Sequence, residues 1–336
     1  MKKKKFFAYL FAISITVPIL ILSLIWTFTY IEENTDQRVP ILLYHQLVTS
    51  LNKADYYHLP VSEFEKQLAW LKANNYHTIN LNDLVMIQLD QGRSIDSSIN
   101  QVPETKDYGL WTDKLIILTF DDGTKDHYLY AFPLLKKYDY TATFFIISSY
   151  IDTTLTEKEI KEMSDAGMSI QSHTHTHKYL DELNDSEIKK ELKMSKTIIE
   201  SITKKPVNFL AIPGGWYDER VLKIAKEIGY KAICTSDIGT NSLKKSNFVL
   251  KRIDVPGTTT IDEFKKLFSP SKIAFDHTFR QIRLALRKTI GRHAYSSLWH
   301  WYHHSNKTSL FYILTSGIIM GILIIFVIAI RRHKSC

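Results

Sequence analysis

Cysteine is almost absent from this chain: Cys234 and Cys336 are the only two in 336 residues. One lies in an apolar run and the other at the last position, so no disulfide framework is implied. A domain of this chain working outside the cell must be held by its core or by a ligand. Internal sequence repeats are also missing. A broadly basic middle is missing too. Net charge is +8, but the surplus sits in Lys2–Lys5, in residues 272–307 and in Arg331, Arg332 and Lys334, leaving the middle mildly acidic. A nucleic-acid partner would need a basic face on the folded domain. Basic ends favour a membrane instead. With 45% hydrophobic residues the chain can bury a large core, and disorder is excluded.

Charge is missing altogether from residues 6–31 and 309–330. Each run reaches the ~20 residues a bilayer-spanning helix needs. No small-x-small cleavage site closes the first run, so an uncleaved anchor is expected. The basic flanks of both runs prefer the cytoplasm. The expected layout is a cytoplasmic N-terminus (1–5), a transmembrane anchor (6–31), an extracellular domain (32–271), a basic amphipathic juxtamembrane segment (272–308), a second transmembrane helix (309–330) and a cytoplasmic tail (331–336). The juxtamembrane segment carries Phe275, Phe279, Ile282, Leu286 and Ile290 at helical spacing, with Arg280, Arg283 and Arg287 largely opposite. An aromatic stretch, 296–305, follows it at the expected bilayer edge.

Between residues 36 and 271, short apolar runs alternate with amphipathic ones. Strands are expected at 39–45, 114–120, 142–148, 168–172, 207–213, 231–236 and 248–255. Helices are expected after a Ser62–Glu65 capping box, after a Thr156–Glu159 capping box, over 185–203, and after an Asp218 cap. Residues 90–113, with Gly92, Pro103 and Gly109, read as a loop. Repeated strand–helix alternation means a parallel sheet with helices outside. The fold class is α/β: a deformed (β/α) TIM-like barrel of about seven parallel strands. Chemistry in such barrels gathers where the strands end. That brings His45, Asp121–Asp122–Gly123, His173 to His177, and Pro213–Gly214–Gly215 to one rim.

Two of these strand ends carry chemistry. Asp121 and Asp122 follow a buried strand, and adjacent acids repel unless something positive lies near. A metal can bind one and leave the other free as a base. The second is IQSHTHTHKYL, where His173, His175 and His177 alternate with threonines. On a strand all three would share a face; on a turn or helix only His173 and His177 would. An Asp with two His, leaving open positions, suits a catalytic Zn²⁺ or another divalent transition metal.

TFDDG followed by SHTHTH resembles the polysaccharide deacetylase family, the NodB-homology or carbohydrate esterase family 4 group, over about residues 36–260. The resemblance implies a deformed (β/α) barrel that removes acetyl groups from sugars. By motif position it makes Asp121 the catalytic base and Asp122, His173 and His177 the metal ligands. His175 is then a bystander, and Thr174 steadies the loop. The family's third motif appears as Ala211–Gly215. Gly214 N–H would be the oxyanion donor, and Ala211 stands where an arginine usually holds the base. The fourth motif has no convincing match near Asp237. The fifth motif's histidine is missing from the LKRIDVPG stretch. His45, ahead of the Asp pair, resembles the acid histidine of the circularly permuted poly-β-1,6-N-acetylglucosamine deacetylases of the intercellular adhesin type. The implied substrate is an N-acetylated cell-surface polysaccharide, this polymer before peptidoglycan, with a polysaccharide synthase as working partner. A glycan-binding protein on the same fold is the alternative from another class. Pro213, Trp216 and Tyr217, and more weakly Trp111, are candidate sugar contacts.

Overall fold

The computed structural model describes residues 16, 20–34, 37–91, 114–291, 294, 295 and 297. The chain divides into two compact units, Thr29–His277 and Met1–Phe28 with Thr278–Cys336.

The first unit is built on seven strands: β1 (Ile41–Tyr44), β2 (Leu115–Phe120), β3 (Thr143–Ile146), β4 (Ser169–Ser172), β5 (Phe209–Ala211), β6 (Ala232–Ile238) and β7 (Val249–Asp254). Neighbours pair in parallel around the series, and β7 pairs with β1, which pairs with β2, so the ring closes. These are the seven strands expected from the sequence, in chain order around the barrel. Strands covered on both faces need apolar residues on both, and these have them. Ile41, Ile117, Phe145, Phe209, Cys234 and Leu250 share the inner cluster. Leu42, Leu118, Phe144, Leu210, Ile233 and Ile253 belong to the outer one, under the helices. Fully burying each such side chain contributes roughly 1.5–3 kcal/mol. Burial pushes the Cys234 thiol up to about 12, which removes it from thiolate chemistry.

The helices are α1 (residues 20–34), α2 (Val61–Ala73), α3 (Leu81–Gln91), α4 (Phe132–Lys137), α5 (Glu157–Asp165), α6 (Asp185–Thr203), α7 (Glu219–Ile228), α8 (Ile261–Lys266) and α9 (Pro270–Ile290). The Thr156–Glu159 capping box opens α5, and the Asp218 side chain caps α7, as the sequence indicates. The Ser62–Glu65 box does not form. α2 starts at Val61 with Pro60 at its N-cap and no side-chain cap. Pro60 ends a short strand, His58–Pro60, paired in parallel with Gln46–Val48. Its fixed φ feeds the chain straight into the helix, so Ser62 already lies inside the first turn.

Among the described residues no helix is long and apolar enough to cross a membrane. The expected run 309–330, the expected run 6–31 up to residue 19 apart from residue 16, and the aromatic stretch from residue 298 lie outside the described residues, as does the expected loop 90–113 with Trp111 except for residues 90 and 91, which end α3 instead. In α1 the side chains of Leu20, Ile21, Leu24 and Phe28 are exposed.

Candidate active site

Strand parity builds the site. Side chains alternate across a strand, so the parity that turns Ile41 inward reaches His45 at the end of β1. On β2, Ile117 and Thr119 lead to Asp121; on β4, Gln171 leads to His173; on β7, Leu250 leads to Arg252. Because the strands are parallel, these positions gather toward the barrel's C-terminal face.

Asp122, His173 and His177 form the three-residue group among the described residues able to hold a metal ion, their ligand atoms all within 4.8 Å of one another. Nε2 of His173 lies 3.4 Å from Asp122 Oδ1, and Nε2 of His177 lies 3.5 Å from the same oxygen. His173 Nδ1–H donates to the Ala211 carbonyl at 2.8 Å, which orients the ring and turns Nε2 toward the carboxylate. Two imidazole nitrogens and one carboxylate oxygen aimed at one point fit a divalent transition ion. Electrostatics agree. Burial alone would raise the Asp122 pKa, but the hydrogen bond and charge of His173 hold it well below the usual carboxylate range. Burial, then the charge of His173, pushes His177 down to about 4, so it offers the neutral imidazole a metal takes. Burial would lower His173, but Asp121 and Asp122 outweigh it and raise the group.

The backbone around the group is tight. Asp122, Thr174 and His177 have φ of 78°, 65° and 60°, left-handed values that cost of order 1–3 kcal/mol each in non-glycine residues. Gly123 follows at φ 69°, and a Cβ there would meet Ile146 Cδ1 at 2.8 Å. The histidine stretch is a turn with no helix behind it until Leu180, so the two histidines are brought together by left-handed residues and not by helical spacing. His177 N–H donates to Thr174 Oγ1 at 3.0 Å. Glu191 of α6, almost fully buried, accepts from the N–H groups of His175 (2.9 Å) and Thr176 (2.7 Å). His175 turns aside to Ser148 Oγ at 2.9 Å and is no part of the metal-capable group.

Asp121 is buried beneath this group. Arg252 grips it with two hydrogen bonds of 2.8 Å, Nη1 to Oδ1 and Nη2 to Oδ2. Arg252 is itself 1% exposed, lies over the Phe145 ring, and donates Nε–H to the Thr235 carbonyl. Burial would raise the Asp121 pKa, but Arg252, then His173, lower it. The arginine that Ala211 fails to supply from β5 thus arrives from β7. Sequence reading missed it, although counting alternate residues from Leu250 reaches it.

His45 is half-buried, its ring edge-to-face with Tyr57 at 5.1 Å, and it lies close enough for its charge to act on Asp121, Asp122 and His177. Pro213–Gly215 form a single turn after β5, with Gly214 exposed at φ 63°. A Cβ on Gly214 would strike Tyr179 Cε1 at 2.7 Å and Trp216 Cδ1 at 2.9 Å, so two aromatic rings flank this peptide. Tyr217 is half-buried and donates its hydroxyl to Asp237 at 3.0 Å. Tyr179, Glu191 and Arg252 are the additions the structure makes to the residues picked from sequence.

Comparison with known proteins agrees with this architecture. The sequence profile of the polysaccharide deacetylase family matches residues 111–233. The Bacillus subtilis protein YxkH, itself assigned as a polysaccharide deacetylase, is 32% identical over 235 residues, covering 69% of this chain and 76% of that protein. The poly-β-1,6-N-acetyl-D-glucosamine N-deacetylase of Staphylococcus epidermidis is 26% identical over 207 residues, 56% of this chain and 65% of its own length. The Streptococcus pyogenes deacetylase PplD, solved with acetate, superposes with a TM-score of 0.58 at 28% identity, covering 70% of this chain and 99% of that one. This chain belongs to the polysaccharide deacetylase family and is a hydrolase of N-acetyl groups.

Proposed function

We propose that this chain removes N-acetyl groups from poly-β-1,6-N-acetylglucosamine, with a divalent ion, zinc first, held by Asp122, His173 and His177. The observation that carries the reading is the single constellation of that metal-capable trio, the Arg252-held Asp121, and a histidine, His45, delivered by the first barrel strand. The likeness to the Staphylococcus epidermidis enzyme supports the choice of polymer.

When bound, such an ion would polarise the acetyl carbonyl and lower the pKa of an attacking water. The chain's own residues do the rest. Asp121, kept ionised by Arg252, takes a proton from the attacking water. Gly214 N–H donates to the oxyanion of the tetrahedral intermediate. His45 gives a proton to the sugar nitrogen as the C–N bond breaks, because an amide anion leaves too poorly unaided. Water and the acetamide become acetate and a free amine. Trp216, with Tyr179 across Gly214, offers ring faces on which a sugar can stack; Pro213 and Tyr217 shape the same edge. The exposed apolar side chains of α1 support a membrane-anchored chain, and the basic residues Lys2–Lys5 ahead of it favour a catalytic domain outside the cell.

The test is acetate release by the full-length, zinc-loaded protein from β-1,6-linked N-acetylglucosamine oligomers, with peptidoglycan fragments in parallel. Release from the oligomers, lost in Asp121→Asn and in His45→Ala, is the expected result. Release from peptidoglycan alone would move the substrate to the cell wall. A bound ion with no release from either would favour a glycan-binding role.

A further inference from the structure

Resting on the reading of His45 as the proton donor, we propose that Asp126 and His127 are positioning residues that clamp the backbone around His45 and set its ring for delivery of the proton. Both follow closely on Asp122 in the chain. His127 Nε2–H donates to the His45 carbonyl at 2.9 Å. Leu47 N–H donates to Asp126 Oδ2 at 2.6 Å. Just before them, Asp121 N–H donates to the Tyr44 carbonyl at 3.0 Å. Three successive ties thus bind residues 44–47 to the segment that carries Asp121 and Asp122. The base and the acid are held in one frame.

His127 is costly where it stands. It is fully buried, its ring 5.3 Å from that of Phe120 and 5.7 Å from that of Phe144. Its Nδ1 is buried with no hydrogen-bond partner among the described residues. A carbonyl can only accept, so Nε2 carries the proton of that bond and Nδ1 is left an orphan acceptor, an uncompensated desolvation. A phenylalanine would fill the same aromatic slot with no orphan nitrogen, so packing alone does not account for a histidine. The bond to the His45 carbonyl does. His127 also opens a π-helical turn, His127–Ala131, a rare conformation that gathers at functional sites. Proton delivery is sensitive to placement, since a displacement of about 1 Å can cost ~10²-fold in rate.

The test separates positioning from plain stability by using two leaving groups. An N-acetylglucosamine oligomer needs the proton from His45; 4-nitrophenyl acetate expels a phenolate that needs none. In the full-length zinc-loaded protein, His127→Phe is expected to lower kcat on the oligomer about tenfold or more, with KM held within about twofold. The ratio of oligomer to nitrophenyl-ester rates should fall at least about fivefold, as it does in His45→Ala. His127→Gln, whose amide can still donate, should restore most of the ratio. If His127→Phe does not fold, Asp126→Ala carries the same ratio test. An unchanged ratio, whether both rates hold or both fall together, overturns the clamp and leaves these residues a packing role. The reading of His45 fails separately, without any change at 126 or 127, if the wild type spares the oligomer or His45→Ala leaves the ratio untouched; the clamp then falls with it.

Discussion

Arg252 and Asp121 are both nearly inaccessible to water, and each justifies the other's burial. Removing one partner from such a pair strands the other charge, typically at a cost of about 3–5 kcal/mol. Arg252→Met should therefore unfold at markedly lower temperature, and adding Asp121→Asn should recover much of the loss. Thermal unfolding of the three proteins checks this. The pH dependence has a definite sign. The folded pKa of Asp121 is depressed, so its contribution to stability is complete above the unfolded-chain value of 3.8 and is lost as pH falls through the lower folded value. Wild type should thus lose part of its margin over Arg252→Met as the solution is acidified. Arg252→Lys keeps a charge but not the two-pronged grip, and acetate release should not return to wild-type level. At this scale the sequence was legible where a residue type announces its chemistry, as with Asp122, His173 and His177. Arg252 was hidden because nothing near it in the chain signals a site; only the inward parity of its strand does.

Helices steady the site from behind. Glu191 projects from α6 to accept the N–H groups of His175 and Thr176, holding the turn that brings His173 and His177 together. Glu191→Ala should weaken zinc binding ~10–100-fold, the usual cost of removing an orienting outer contact. Competition with a chromogenic chelator measures it, and unchanged affinity would show the turn holds itself. Asp218 caps α7, accepting from Val221 N–H at 3.0 Å. Burial would raise its pKa, but Val221 N–H and then Arg220 outweigh it and lower it. Asp218→Ala should cost about 1 kcal/mol at neutral pH, and the stability curves of the two proteins should converge as pH falls through the folded pKa. The caps at Thr156 and Asp218 could be read from sequence because a cap is local. The box at Ser62 misled because a strand ending in Pro60, paired with a distant segment, set the helix start. The resemblance picked out His173 and His177 as the pair, but the bend that joins them was hidden, because left-handed residues such as Thr174 and His177 leave no sequence signature.

On the scale of the whole molecule, the barrel was legible because seven buried strands separated by amphipathic helices admit few arrangements. The register of its closing pair, Ile253 beside Leu42 and Asp254 beside Leu43, was not, since pairing between chain-distant strands is invisible to periodicity. An ion bound at Asp122, His173 and His177 should stabilise the native protein by mass action. At free zinc about 100-fold above the dissociation constant, the gain is about 2.7 kcal/mol, a rise in Tm on the order of 5–10 °C that a chelator reverses. Calorimetry with and without zinc tests it, and no shift would deny the site to that metal.

Ring closure also bears on how the protein is made. Asp121 leaves the ribosome long before Arg252, its buried counter-ion. A nascent chain, or one cut short ahead of residue 249, can hold the aspartates and histidines yet lacks the main counter-charge of Asp121. Charge matching at the base is thus postponed to the last stave of the barrel, and hydrolytic competence should appear only once that stave is laid.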